Sequence, residues 1–76
     1  MHILLSVYLP LSREKPLRST SLNLPEGTTV GQVMEQFGVS DEQVWLYVVN
    51  HKHIRKREDR LSEGDHLMVF PPMEGG

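Results

Sequence analysis

The sequence predicts an α+β roll: a strand hairpin, one main helix laid across it, then further strands in the same sheet. Three observations carry that reading. At the start of the chain Ile3, Leu5, Val7 and Leu9 recur at every second position, the period of a strand with one face on a core, and His66 to Phe70 reads as a further strand. A single stretch repeats at helical spacing, with Val30, Val33, Met34 and Phe37 at i, i+3, i+4 and i+7. Turn-forming clusters at Pro25-Glu26-Gly27 and Ser62-Glu63-Gly64-Asp65 separate these segments.

In the first strand Ile3, Leu5, Val7 and Leu9 alternate with His2, Leu4, Ser6 and Tyr8, and Pro10 ends it. Arg13-Glu14-Lys15-Pro16 reads as a polar connection, and Ser19 to Leu24 as a second strand with Thr20, Leu22 and Leu24 on one face. Thr29 and Gln32 have the spacing of a capping box, which fixes the helix start. Gly38 stands where a left-handed helix stop belongs. Ser40 to Gln43 repeats the capping pattern but starts only a short turn. Trp45 to Val49 is apolar on both faces, so it belongs inside the sheet. Asn50 to Lys52 makes a tight turn into a short strand around Ile54, and Arg55 to Arg60, without an apolar residue, reads as a solvated loop. Leu61 dips inward, and in the last strand Leu67 and Val69 face one way while His66, Met68 and Phe70 face the other. Residues 1–70 form the domain and 71–76 a flexible tail.

Size and composition restrict the function. Seventy-six residues make one small domain with little material to wall a ligand cavity of roughly 300–1,000 Å³, so a self-contained enzyme is not expected. With no cysteine there is no disulfide, thiolate metal site or cysteine nucleophile. A formal charge of -2 exerts no global pull on nucleic acid or anionic lipid. Met1 to Val7 lacks a basic n-region, and no run approaches the ~20 apolar residues of a membrane span, so a soluble, cytoplasmic protein is expected.

The sequence ends on Gly75-Gly76 behind Pro71-Pro72. Such an end offers a bare α-carboxylate on a tip without side chains, able to thread where any Cβ would clash. Other candidates are weaker. His51 and His53 share a strand face but have no evident third ligand, so no metal is expected. Lys52, His53, Arg55, Lys56, Arg57 and Arg60 form a basic cluster that could steer an acidic partner or touch RNA phosphates, yet Glu58 and Asp59 interrupt it and no aromatic interleaves it. Asp41 and Glu42 read as first-turn helix charges. Leu4, Tyr8, Met68 and Phe70 fall off the main core face. They make either an exposed apolar patch for partner docking, the reading preferred here, or a second small core.

The string from Leu61 to Gly76, with Leu24 to Val30 before the helix and Val48-Val49-Asn50 before the turn, resembles the ubiquitin-like sulfur carriers. The resemblance covers essentially the whole chain. It implies a β-grasp fold, a mixed sheet of four to five strands with one main helix packed across it. The long first hairpin and Phe70-Pro71-Pro72 lean toward the small subunit of molybdopterin synthase over the thiamine-pathway carrier. One departure is His51, where the family follows the turn asparagine with glycine. Asn-Gly suits a turn with positive φ at both central residues, so His51 must tolerate that conformation or take another turn type.

The resemblance also implies a chemistry. The Gly76 carboxylate would be adenylated and become a thiocarboxylate, with Gly75 passing the constriction of the partner's site. Phe70, Met68, Pro71, Pro72 and Tyr8 would contact partners. The chain itself would bind no cofactor, ATP-Mg and persulfide sulfur being supplied on partner enzymes. Those partners would be an adenylating enzyme resembling ubiquitin-activating enzyme, a sulfurtransferase such as the molybdopterin synthase large subunit, and a persulfide donor such as a cysteine desulfurase. The alternatives are a carrier for thiamine or another sulfur metabolite, a modifier joined through Gly76 to lysines, and a β-grasp module that binds RNA or a nucleotide.

Overall fold

The structure, a computed structural model, describes residues 1–9 and 12–72; the side chains of residues 9 and 12–17 are outside the description. Five strands, β1 (His2–Leu9), β2 (Ser12–Asn23), β3 (Leu46–Val49), β4 (His53–Arg55) and β5 (His66–Phe70), form one sheet in the order β2-β1-β5-β3-β4. The helix α1 (Val30–Gln36) and a 3₁₀ turn (Asp41–Gln43) lie between β2 and β3. β1 runs parallel to β5 at the centre, while the β1–β2, β3–β5 and β3–β4 pairs are antiparallel, so the sheet is mixed. Val30, Val33 and Met34 of α1 pack on Ile3, Leu5, Tyr47, Val49, Leu67 and Val69, with Leu24 and Leu61 closing the core from the loops. Among the described residues no helix is long and apolar enough to cross a membrane.

The helix start follows the local sequence. The Thr29 hydroxyl accepts from the Gln32 N–H at 3.2 Å, and the Gln32 side chain accepts from the Thr29 N–H at 2.9 Å. The remaining first-turn amides are taken by a distant loop: Val30 N–H donates to the Asp59 carbonyl at 2.9 Å and Gly31 N–H to the Arg57 carbonyl at 2.8 Å. Residues 56–60 are thus fastened across the helix N-terminus and are not the free solvated loop expected from their polarity. A Cβ at Gly31 would stand 3.1 Å from the Arg57 carbonyl oxygen, a tight contact that favours glycine at this approach. At the other end Gly38 adopts φ +70°, and the Val39 and Gly38 amides donate to the carbonyls of Met34 and Glu35 in a Schellman stop.

Three further expectations change. Phe37, placed on the apolar stripe, is the helix C-cap and is 40 % exposed, because the helix has only seven residues and unwinds there. Trp45 precedes β3 rather than opening it and is 51 % exposed. The second strand begins at Ser12, not Ser19, taking in the segment read as a connection. That is tolerable because β2 is an edge strand, where a proline lacking its N–H is accommodated, and the register shifts beside the Tyr8–Pro16 pair absorb the irregularity.

The turn at Asn50 resolves the question raised by His51. Both residues adopt positive φ, 56° and 63°, so His51 takes the left-handed conformation that glycine would favour. Asn50 pins the turn: its side chain donates to Asp65 at 3.1 Å and accepts from the His66 N–H at 2.8 Å, while its own N–H donates to the His66 carbonyl at 2.9 Å.

Candidate functional site at the root of the C-terminal segment

β5 is the central strand, held on one side by β1 and on the other by β3. It ends at Phe70, whose carbonyl accepts from the Trp45 N–H at 2.7 Å and whose ring stacks on Tyr8 with centroids 4.5 Å apart. Pro71 is half-buried against this root and Pro72 is exposed. The segment that follows therefore leaves from a firmly paired part of the sheet. Gly75 and Gly76, the expected reactive end, lie outside the described residues together with Met73 and Glu74.

The outer face of the sheet is only partly the exposed patch that the alternation suggested. Tyr8 and Met68 are buried, Phe70 is half-buried, and Leu4 is at the margin of exposure. Tyr8 and Met68 stand on adjacent central strands, Met68 opposite Ser6, where large side chains shade one another. What remains open for a partner is the rim of the Tyr8–Phe70 stack, with Pro71, Pro72 and Leu4.

Beside it runs a polar chain that the sequence reading did not identify. The fully buried Ser6 hydroxyl lies 2.8 Å from His66 Nε2 and 2.9 Å from the Ser19 hydroxyl, and the His66 ring meets His51 edge-on at 5.2 Å. Burial, and then the neighbouring His51, hold the His66 pKa below its ordinary value. The available signal was a serine in the middle of an otherwise apolar strand. His51 thus meets the His66 ring; among the described residues no group of three or more potential ligands gathers.

On the far side of the sheet Tyr47, Arg57 and Asp41 form a second polar chain. Arg57 donates to the Tyr47 oxygen at 2.9 Å and the Tyr47 hydroxyl donates to Asp41 at 3.3 Å. Burial raises the Tyr47 pKa, opposed by the guanidinium of Arg57 and assisted by the Asp41 carboxylate. Asp41, expected as a helix-end charge, is thereby a hydrogen-bond acceptor as well. Among the described residues no buried side-chain nitrogen or oxygen lacks a partner.

Comparison with solved structures finds the same fold in the crystal structure of SAMP1 from Haloferax volcanii. It is 17 % identical, with all of each chain covered and a TM-score of 0.73. No curated protein is similar enough in sequence to count as a match. The model of the ThiS family matches residues 8–76, nearly the whole chain and through to the terminal glycines. With a β-grasp sheet, a helix across it and a family match of that extent, the chain belongs to the ThiS family of ubiquitin-like sulfur carriers.

Proposed function

We propose that this chain is a protein co-substrate whose Gly76 α-carboxylate carries sulfur. The observation that supports it most is the way the chain leaves the fold: a central strand ending in a hydrogen-bonded, ring-stacked Phe70, then Pro71-Pro72, then four residues without bulky branching. Residues 71–76 reach at most about 20 Å when extended, enough to enter a partner's closed site while the domain stays outside. The prolines limit the freedom lost on insertion.

At neutral pH the terminal carboxylate is an anion and a competent nucleophile toward phosphorus. It attacks the α-phosphate of ATP-Mg bound on an adenylating enzyme, releasing pyrophosphate and forming an acyl-adenylate. A persulfide from a donor such as a cysteine desulfurase displaces AMP, and a thiol then cleaves the resulting S–S bond to leave the thiocarboxylate. The domain supplies no acid or base; Gly75 keeps the backbone narrow, and the rim of the Tyr8–Phe70 stack, with Leu4, Pro71 and Pro72, docks the partner, Met68 supporting it from beneath. We assign the sulfur to molybdopterin synthesis, on a large sulfurtransferase subunit in the cytoplasm, because the first hairpin is long, with a β2 of 12 residues, and Phe70-Pro71-Pro72 precedes the tail.

The test is ATP–pyrophosphate exchange by the adenylating enzyme from the same source. Exchange should depend on this chain and disappear when Gly76 is deleted, with the folded spectrum unchanged. Undiminished exchange with the deletion would remove the carboxylate from the mechanism.

A further inference from the structure

A second surface lies at the edge of the sheet opposite β2. Asp41, Trp45, Leu46, Tyr47, Ile54 and the segment 55–58 enclose a groove of about 310 Å³. Of its apolar lining residues Trp45 is 51 % exposed, and Ile54, which shares the face of Val48 and not that of Tyr47 and Arg55, is 68 % exposed. Its floor is rigid, because Tyr47 is buried and tied to both Arg57 and Asp41. β4 is the last strand on this side, all three of its residues are exposed, and its outer edge can accept another strand.

The groove itself carries Arg55, Lys56 and Arg57 against Asp41 and Glu58, a net +1 in a chain of -2, and the surrounding segment is more basic still. Five of the eight Lys and Arg residues lie between Lys52 and Arg60, against two of the ten acidic ones, in a chain of net charge -2. One of those two carboxylates, Asp59, is already engaged, accepting the Lys56 N–H at 2.8 Å. Trp45 also ties the groove to the root of the C-terminal segment, donating its N–H to the Phe70 carbonyl.

We propose that this groove docks an extended acidic segment of the enzyme that receives the C-terminal segment. The segment pairs as a sixth strand on β4, setting an apolar side chain beside Ile54 on one face of the sheet and a carboxylate beside Arg55 on the other, with a further carboxylate on Lys56. A second copy of this chain is disfavoured as occupant, because edge-to-edge pairing of two β4 strands would bring the two basic clusters together. A nucleic acid would satisfy the cations but leave the strand edge and Ile54 without a role. The identity of the partner rests on the carrier reading; the docking chemistry does not.

The experiment uses the full chain, isotope-labelled, titrated with a short capped peptide alternating glutamate and valine at low salt. Shifts should concentrate on Trp45, Ile54, Arg55 and Lys56, saturate, and vanish at high salt. The Arg55→Glu/Lys56→Glu double variant should weaken binding at least tenfold while resonances of β1 and β5 stay in place. With the adenylating enzyme the same variant should raise KM for this chain and leave kcat unchanged. Equal shifts with a lysine–valine peptide, shifts located elsewhere, or tighter binding of an oligouridylate to these residues would overturn the proposal. Deleting Gly76 should leave peptide binding intact, so failure of the carrier reading and failure of the docking reading are separate results.

Discussion

His51 occupies a backbone conformation that costs an L-residue roughly 1–2 kcal/mol, and its ring adds positive character beside His66. Replacing it with glycine should stabilise the fold by about 0.5–1 kcal/mol, the relief being partly offset by glycine's greater freedom in the unfolded chain. Denaturant titration checks this, and a loss of stability would show that the ring contact outweighs the strain. His66 also sets a pH dependence. Because its folded pKa lies below the unfolded value of about 6.5, the folded state favours the neutral ring. Its contribution is fully present above pH ~6.5 and is lost as pH falls below that toward the folded pKa. The His51→Gly variant should shallow this loss without abolishing it, since burial, the larger cause, remains. Phe70→Ala should cost about 1–2 kcal/mol of stability through the lost Tyr8 stack, and more than that in partner affinity. Equal losses would assign Phe70 to the core alone. At this scale the sequence showed that the turn at His51 was unusual, but not the Ser6–His66–Ser19 chain, which depends on β1 and β5 becoming neighbours.

Features set by contiguous residues were legible, and contacts made through distant main chain were not. The Thr29–Gln32 capping box and the Gly38 stop are encoded within a few positions and formed as expected. Residues 12–17 carried no apolar alternation because an edge strand has less need of it. The docking of residues 57–59 on the helix start uses main-chain carbonyls, which leave no mark in side-chain pattern. Gly31 holds the trace of that contact. Alanine is the better helix former by roughly 1 kcal/mol, yet Gly31→Ala should destabilise by about 1–2 kcal/mol, because its Cβ meets a backbone oxygen and not a movable side-chain tip. A rise in the thermal midpoint would mean that the loop yields freely.

For the molecule as a whole, a chain of this size gathers its function at its margins. The core of α1 against the central strands holds β5 in place, and β5 presents the root from which residues 71–76 continue. The basic β4 edge lies on the same side of Phe70 as Trp45, so one partner can engage both the groove and the terminal residues. The most direct measurement is the intact mass of the protein after incubation with lysate from its own source, ATP and a sulfur donor. Replacement of one oxygen by one sulfur, dependent on ATP and absent after deletion of Gly76, is the predicted result; these controls separate it from methionine oxidation, which adds nearly the same mass. No ATP-dependent gain, under conditions where a known carrier is converted, would contradict the account.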